Sequence, residues 1–561
     1  MRLQGIGVSG GIGVGRVMVL KDVVPDVVRK TASRDETRRF ADAVERLNTA
    51  LREKADGMRG EKAGIMESHI MLLGDPIMLS EIEELIVRQN CNSEYAANEI
   101  LEKYAAAFEM SGDDLLTARA SDLRDVKNNL IMALCGRDVF EVGEWPAGSV
   151  LVARELTPSI SACIDPKNVC ALITQEGGTT SHAAIIARSL GLPAVTGISA
   201  HMLKNCAIAI VNGDTGEVIA DPADEVLTQY IDRREESIRH NLELERLRGL
   251  ANRTVDGKTV SLNVNIGFEA DVEKALLADA EGVGLFRTEF LYINRDTAPT
   301  EDEQFLVYKK AAETFSGRPV IIRTLDVGGD KNIPYLDTEK EENPFLGWRA
   351  IRYCLDRTEL FCVQLRAILR ASAFGNVKIM LPMIATTTEF QKTKELIEQT
   401  KSELLEKRIS FDNGIAVGIM IETPAAAIMA DRLAEVADFF SIGTNDLTQY
   451  VLAVDRGNNN VASLYSTYDP AMLRTIHGVS QAAKTRGIPC GVCGEAGADP
   501  LLTGFLIGCD IDELSMVGNS ILQVREAVRR TNYADVKDKI TKELFSLNSI
   551  DESVRFLRSL S

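Results

Sequence analysis

The spacing of hydrophobic and polar positions changes character twice along the chain. After a short glycine-rich stretch that ends near VMVL, residues 33–140 carry apolar side chains at helical spacing, in segments such as RRFADAVERLNTALREKADGM and SEYAANEILEKYAAAFEMS. From about residue 145 to 222, short apolar runs (GSVLVA, CALIT and AIAIVNG) alternate with loops and one helix. The pattern predicts a small α/β domain, built from residues 1–32 and 141–222, that is interrupted by an all-α insertion at 33–140.

The second half of the chain has a different rhythm, in which β-rich runs recur with helical stretches between them. Eight runs follow one another: TVSLNVNIG, GVGLFRTEF, PVIIRTLDVGGD, VKIMLPMI, AVGIMIETP, FFSIGTNDL, PCGVCGE and ELSMV. Eight strand–helix units over about 300 residues are typical of a (β/α)8 TIM barrel, in which active sites lie at the carboxyl ends of the strands. We therefore expect a barrel at 255–561, joined to the first half by a charged linker helix at 223–254.

Composition narrows the class of protein. A chain of 561 residues is too long to fold around one hydrophobic core. Together with the pattern above, this length fits an α/β multidomain protein. Its formal charge of −19 argues against nucleic acid as a partner, because phosphate backbones bind basic surfaces. The start, MRLQGIGVSGG, lacks the apolar region of a signal peptide, and no uninterrupted apolar stretch is long enough to cross a bilayer. We expect a cytoplasmic protein that has no membrane partner and keeps its ten cysteines reduced.

One of the five histidines, His182, lies in the stretch GGTTSHAAIIARSLGLPAVTG. The hydroxyl residues before it are good helix N-caps, and Gly191 and Pro193 are a normal helix stop, so His182 is predicted in a first helical turn. The positive end of a helix dipole suits an anion and disfavours an imidazolium, which leaves a neutral imidazole that can act as a nucleophile or a metal ligand. The local sequence equally allows a histidine that only caps its own helix.

Polar residues follow the apolar part of the barrel runs, where a barrel places its active site. Arginines bind phosphate or carboxylate oxygens, a pair of carboxylates suits magnesium, and a thiol can deliver a proton to a substrate carbon. One such residue alone is as often a solvated loop residue, but the set predicts a site for a small phosphorylated acid. The residues are Arg287, Arg323, Glu422, Asn445, Asp446 and Cys493.

Seven segments, in order and spacing, resemble the enzyme I family of the bacterial sugar phosphotransferase system, which are phosphoenolpyruvate-protein phosphotransferases. The segments are GGTTSHAAIIARSLGLPAVTG, GLFRTEFLY, RTLDVGGDK, NPFLGWRAIR, GIMIETPAA, SIGTNDLTQY and CGVCGE. The resemblance covers essentially the whole chain. The related pyruvate phosphate dikinases and phosphoenolpyruvate synthases share the histidine helix and the barrel but also need a nucleotide-binding domain, for which the residues ahead of this barrel leave no room.

The resemblance implies a role for each matching residue. His182 takes the phosphoryl group, Cys493 protonates the enolate carbon to give pyruvate, and Glu422 and Asp446 hold Mg²⁺. Cys490 matches nothing functional, and Ser161 falls where the family has a hydroxyl beside the histidine. The residues implied to bind phosphoenolpyruvate are Arg287, Arg323, Lys331, Arg349, Asn445, Asp446 and Arg456.

The resemblance also implies partners. The helical insertion corresponds to the docking domain for HPr, the small carrier that receives the phosphoryl group, and ESHIMLL and SDLRD match its more recognisable stretches. The barrel is implied to form a homodimer. Family members often carry a basic residue between GG and TSH, where this chain has Thr179. Two alternatives remain at this point: a dikinase-like enzyme whose nucleotide domain is a separate chain, and a regulatory relative outside sugar transport.

Overall fold

The protein, seen in a computed structural model, forms two compact units, Met1–His240 and Asn241–Ser561. The structure describes residues 1–20, 27–56, 61–110, 114–137, 145–178, 181–293, 295, 297–328, 333–336, 341–458 and 460–560. Within that part of the chain, no helix has the length and apolar character needed to span a membrane.

The described residues of the segment predicted to be all-α form five helices with a core between them. The helices bury their apolar faces in this core, which includes Phe40, Leu47, Ile82, Leu101 and Leu130. Two of the predicted helical segments, RRFADAVERLNTALREKADGM and SEYAANEILEKYAAAFEMS, correspond to the first and fourth helices. The helices are α1 (Glu36–Asp56), α2 (Glu61–Leu73), α3 (Pro76–Gln89), α4 (Ser93–Met110) and α5 (Asp114–Leu134).

An eight-stranded mixed sheet forms the rest of the first unit. Its strands are β1 (Arg2–Gln4), β2 (Ile6–Ser9), β3 (Ile12–Val19), β4 (Ser149–Ala153), β5 (Val169–Thr174), β6 (Ala194–Thr196), β7 (Ile208–Asn212) and β8 (Glu217–Ala220), in the order β1-β8-β7-β3-β4-β5-β6-β2. Strands β3 and β4 lie on either side of the helical insertion in sequence and pair in parallel, with Arg16 opposite Ser149. The insertion therefore leaves and re-enters the sheet between neighbouring strands, which keeps the α/β fold intact.

In the described part of this domain, the sheet is accompanied by helices α6 (Pro158–Cys163), α7 (His182–Leu190) and α8 (Ala200–Leu203). Helix α7 begins at His182, as predicted, because Ser181 is its N-cap and accepts a hydrogen bond from the Ala184 N–H at 3.3 Å. The helix ends at Gly191, whose φ of 65° is in the left-handed region that favours glycine. The charged segment that follows the sheet is helix α9 (Asp224–Glu245).

The second unit is a closed barrel of eight parallel strands. All eight predicted runs are strands: β9 (Ser261–Ile266), β10 (Val283–Arg287), β11 (Val320–Arg323), β12 (Val377–Leu381), β13 (Val417–Ile421), β14 (Phe440–Ile442), β15 (Cys490–Val492) and β16 (Glu513–Met516). The barrel closes where β16 pairs with β9. The predicted fold class, an α/β domain with an all-α insertion followed by a TIM barrel, is confirmed.

Helices surround the barrel and bury its outer face in one continuous apolar core. They are α10 (Glu269–Leu277), α11 (Glu301–Thr314), α12 (Ile351–Asp356), α13 (Thr358–Ser372), α14 (Thr387–Glu406), α15 (Pro424–Ile428), α16 (Ala430–Leu433), α17 (Thr444–Leu452), α18 (Pro470–Arg486), α19 (Pro500–Gly508), α20 (Ile521–Arg530), α21 (Tyr533–Glu543) and α22 (Ile550–Ser559). Inside the barrel, an apolar layer that includes Leu285, Met380, Met420 and Phe439 closes the floor beneath the carboxyl ends of the strands. Polar side chains above this layer therefore line a cavity at the barrel mouth.

Candidate active site at the barrel mouth

A cavity of about 510 Å³ lies at the carboxyl ends of the barrel strands. Its volume is in the range of small-molecule sites. Every barrel residue singled out from the sequence and described in the structure lines it, together with side chains that the sequence analysis did not select. The lining includes Arg287, Glu289, Arg323, Asp326, Arg349, Glu422, Asn445, Asp446, Arg456, Tyr465, Cys493 and Glu495.

Strand geometry explains why residues so far apart in sequence meet here. Arg287 and Arg323 are the last residues of β10 and β11, and Glu422 follows directly after β13. Asn445 and Asp446 lie in the first turn of α17, immediately beyond β14. The carboxyl ends of parallel strands all open on one side of a barrel, so each of these side chains reaches the same mouth.

Two buried arginines are held by carboxylates that cross between strand ends. Arg323 donates to Glu289 Oε1 at 2.6 Å and forms an ion pair with Asp326 Oδ2 at 3.2 Å. Arg349 donates to the other oxygen of Asp326 at 2.9 Å and to Asp446 Oδ2 at 3.4 Å. Asp326 therefore bridges the two guanidinium groups and fixes the distance between them, which places rigid, forked donors where an anion can bind.

The remaining polar groups form a second network on the opposite side of the mouth. Asn445 donates through Nδ2 to Glu495 Oε1 at 3.1 Å and accepts from the Glu495 N–H at 2.9 Å. The Tyr465 hydroxyl donates to the backbone carbonyl of Asn445 at 3.1 Å. Arg456 lies 3.6 Å from Asp446 Oδ1 and is substantially exposed. The Arg456 guanidinium is therefore a more accessible positive charge than the buried Arg323 and Arg349.

The charges of the described lining favour a cation together with an anionic substrate. Four arginines face five carboxylates, those of Glu289, Asp326, Glu422, Asp446 and Glu495. The lining is neutral when Glu422 is protonated and slightly negative when Glu422 is ionised, so the arginine charges are offset before a substrate binds. A bound cation makes the lining positive and makes the arginines available to an anionic substrate.

Glu422 carries the clearest electrostatic perturbation of the site. Burial, with the nearby charges of Asp446 and Asp326, raises the pKa of its carboxyl to about 8, although Arg323 and Arg349 act in the opposite direction. Its Oε1 accepts a hydrogen bond from the Met383 N–H at 2.6 Å, which orients the carboxylate. A cation beside Glu422 would restore the ionised form at neutral pH.

The donor set fits a divalent cation that shares its coordination with a substrate. The described residues contain no group of three or more His, Cys, Asp or Glu side chains placed to hold a metal by themselves. Glu422 and Asp446 supply two carboxylates, and the buried Oδ1 of Asp446 accepts no hydrogen bond within the described structure. Magnesium is typically bound through one or two carboxylates with substrate phosphate and water completing the octahedron.

Cys493 and Cys490 have different environments although they are three residues apart. Cys493 lines the cavity, and burial raises its pKa to about 11, so that the group is a protonated thiol at neutral pH. Cys490 is in the wall of the barrel, within the core that packs against the helices, and burial raises its pKa further. Of these two cysteines, Cys493 is the one placed to give a proton to a molecule in the cavity.

The other predicted residues lie elsewhere or outside the described part of the chain. Lys331 and Thr179 fall outside the described residues. His182 belongs to the first unit, where its backbone begins α7. Ser161, in α6 of the same unit, is buried, and its hydroxyl donates to the Pro158 carbonyl at 2.8 Å.

Sequence reasoning missed the carboxylates that hold the arginines. Glu289 and Asp326 both occur inside segments that were singled out, GLFRTEFLY and RTLDVGGDK, two or three residues after an arginine. That spacing at two successive strand ends was the available signal, because a buried arginine requires a buried counter-charge.

Known protein families match most of the chain. Three family models match: "PEP-utilising enzyme, N-terminal" over residues 4–119, "PEP-utilising enzyme, mobile domain" over 145–216 and "PEP-utilising enzyme, PEP-binding domain" over 241–533. A phosphoenolpyruvate-protein phosphotransferase of Priestia megaterium is 40% identical over 565 residues, which is 99% of this chain and 98% of that protein. The chain belongs to the phosphoenolpyruvate-protein phosphotransferase family.

Further relatives extend the match across bacterial groups. A phosphoenolpyruvate-protein phosphotransferase of Bacillus sp. (strain S) is 42% identical, covering 99% of this chain and 97% of that protein. One from Haemophilus influenzae is 40% identical and covers 95% of each. The PEP-binding match includes the whole described lining of the cavity, and the mobile-domain match includes His182. The predicted enzyme class, a phosphotransferase, is confirmed.

Proposed function

We propose that this phosphoenolpyruvate-protein phosphotransferase binds phosphoenolpyruvate at the barrel mouth, transfers its phosphoryl group to His182 and then to a histidine of HPr, and releases pyruvate. The observation that carries the proposal is a cavity whose described lining combines four arginines, two carboxylates suited to a cation and a protonated thiol. These are the groups needed to bind a phosphorylated acid, neutralise the transferring group and protonate an enolate. We propose that this reaction is the first step of sugar uptake by the phosphotransferase system.

Substrate binding would use the arginines that now pair with carboxylates. Arg323 and Arg349 share Asp326, so a phosphate that approaches both can accept their free N–H groups without either side chain moving far. Arg349 Nε and Arg323 Nε are buried and make no hydrogen bond within the described structure. Arg287, Arg456, Lys331 and Asn445 complete the set that we assign to the phosphate and carboxylate of the substrate.

The cation site would consist of Glu422 and Asp446 with substrate oxygens, and we assign Mg²⁺ to it. When bound, Mg²⁺ supplies positive charge that stabilises the phosphoryl group in transfer. Glu422 contributes an oriented carboxylate, because the Met383 N–H fixes its Oε1. Asp446 contributes a carboxylate that also contacts Arg349, so the cation and the arginine pair would act on the same phosphate.

His182 would be the nucleophile. Its backbone begins α7, and the nitrogen lone pair of an imidazole is the group that can attack phosphorus. The same helix end stabilises the negative charge of a phosphohistidine. Because one histidine must serve both phosphoenolpyruvate and HPr, we propose that the connecting segment at 223–254 acts as a hinge.

Cys493 would protonate the enolate at carbon. Its raised pKa keeps the thiol protonated at neutral pH, and its position in the lining brings the proton to the bound substrate. Conversion of enolpyruvate to pyruvate then favours the forward direction.

We assign HPr docking to the helical insertion at 33–140 and homodimer formation to the barrel domain at 255–561. The phosphohistidine domain comprises 1–32 and 141–222. These assignments follow the resemblance, and the separate cores of the helical insertion and the barrel support separate roles.

A coupled assay tests the proposed reaction. Purified chain, HPr, Mg²⁺ and phosphoenolpyruvate should yield one pyruvate for each phosphorylated HPr with no nucleotide present. A requirement for ATP or AMP would favour the dikinase-like reaction, and HPr binding without pyruvate formation would favour a regulatory relative.

A further inference from the structure

Strand β9 adds to the site a side chain that does not line the cavity. Asn265, the second-to-last residue of β9, donates through Nδ2 to the backbone carbonyl of Cys493 at 3.0 Å. The hydroxyl of Ser515, on the neighbouring strand β16, donates to Asn265 Oδ1 at 2.5 Å. Asn265 therefore connects the first and last strands of the barrel to the residue that carries the thiol.

Hydrogen-bond chemistry fixes the orientation of this amide. The carbonyl of Cys493 can only accept, so the NH₂ group of Asn265 must face it, and the amide oxygen must then face Ser515. The pairing of β15 with β16 ends at Val492, so the carbonyl of the next residue receives its hydrogen bond from a side chain.

Cys493 is held from two sides by these contacts. Its N–H donates to the Ile442 carbonyl at 3.1 Å, and its thiol donates weakly to the same oxygen at 3.8 Å. Asn265 holds the opposite end of the residue. Without Asn265, the peptide that follows the thiol loses its fixed partner and can rotate, which changes where the sulfur atom lies in the cavity.

We propose that Asn265 is a positioning residue that aims the Cys493 thiol at one face of the enolate. The inference rests on the proposed function, in which Cys493 protonates the substrate. In that step the S–H bond breaks, its proton forms a C–H bond at C3 of the enolate, and the electron pair stays on sulfur as a thiolate. The thiolate recovers a proton from solvent after pyruvate leaves.

The stereochemistry of protonation is the readout that a merely structural role would not change. Phosphoenolpyruvate that carries deuterium at one C3 position is converted in tritiated water, and the handedness of the methyl group of pyruvate is determined. A fixed donor protonates one face of the enolate and gives a methyl group of a single handedness. Enolpyruvate that escapes and is protonated in water gives a racemic methyl group.

Asn265→Asp is the test variant, because it replaces the donor NH₂ by oxygen at nearly constant shape. We expect kcat to fall by about 10- to 100-fold with KM for phosphoenolpyruvate within about threefold, and the methyl group to become partly racemic. In this variant, transfer of the phosphoryl group between phosphorylated HPr and His182 should keep the rate of the parent, because that reaction needs no protonation of carbon.

Asn263→Asp is the matched control, because it makes the same substitution at another asparagine of β9. Asn263 is two residues earlier on the same strand, is buried in the barrel interior and accepts from Ser261 rather than contacting Cys493. We expect this variant to keep a single methyl hand and a kcat close to that of the parent. If Asn265→Asp does not fold, Ser515→Ala releases the other end of the same amide and should partly racemise the product.

The outcomes separate this inference from the proposed function. A racemic product from Cys493→Ala together with parental rate and handedness in Asn265→Asp would overturn the role of Asn265 alone. Parental rate and handedness in Cys493→Ala would overturn the role of the thiol, and the inference with it.

Discussion

Replacing Glu422 by glutamine should stabilise the metal-free protein at alkaline pH. The pKa of this carboxyl is raised from its ordinary value of 4.5 to about 8, chiefly by burial. The folded state therefore binds the proton more tightly than the unfolded state does. The stability that the protonated Glu422 carboxyl contributes is fully present below about pH 4.5 and is lost as the pH rises through about 8. Glutamine mimics the protonated form and removes this loss.

The size of the effect follows from the shift. One pKa unit corresponds to about 1.4 kcal/mol, so ionisation of Glu422 costs on the order of 3–5 kcal/mol of folding free energy at pH 9. For a unit the size of Asn241–Ser561, that is roughly 5 °C in the melting temperature. Scanning calorimetry of the full chain should show parent and Glu422→Gln melting together at pH 5 and the variant melting higher at pH 9.

Added Mn²⁺ or Mg²⁺ distinguishes a cation site from burial alone. The cation should raise the melting temperature of the parent at pH 9 and leave Glu422→Gln unchanged. Glu513→Gln is the control, because burial also raises the pKa of Glu513 although its side chain does not line the cavity. That variant should gain stability at pH 9 and keep the full response to metal. The reasoning is refuted if Glu422→Gln gains nothing at pH 9 or responds to metal as the parent does.

Three further predictions concern binding, chemistry and assembly. Arg349→Lys should raise KM for phosphoenolpyruvate by about 10- to 100-fold, because lysine cannot fork between a phosphate and Asp326; an unchanged KM in steady-state kinetics would contradict this. Cys493→Ala should slow pyruvate formation by about 10²- to 10⁴-fold and spare phosphate exchange with HPr, whereas Cys490→Ala should leave both rates nearly unchanged; equal losses in the two reactions would mean that the thiol serves folding. By light scattering, residues 241–561 should be dimeric and residues 1–240 monomeric, and a dimeric N-terminal fragment would exclude dimerisation through the barrel alone.

Periodicity was sufficient to predict the barrel, because each of its strands is a short apolar run bounded by helices. The strand order of the first unit was out of reach by the same reasoning. Strands β1, β6 and β8 have only three or four residues each, and their pairing depends on contacts between residues about 200 positions apart, such as Arg2 with Ile219. Local pattern carries little information about such pairings.

The candidate site was predictable where a residue follows a strand and not where it acts through another residue. Arg323 and Glu422 could be selected from the sequence because they are charged residues at the ends of apolar strands. Asn265 does not, because an asparagine in a strand looks the same whether it faces a core or supports a neighbour. Met383, whose φ of 57° turns its N–H towards Glu422, is likewise invisible in the sequence, since a methionine gives no sign of a left-handed backbone.

Phosphoenolpyruvate labelled with ³²P provides the most direct test of the central claim. Incubated with the purified chain and Mg²⁺ without nucleotide, it should place an acid-labile, base-stable label on the protein that passes to added HPr. The label should be absent from His182→Ala, although the barrel of that variant still binds phosphoenolpyruvate with Mg²⁺ in calorimetry. Acid-labile label that persists on His182→Ala, or label that forms only when ATP is present, would contradict the account.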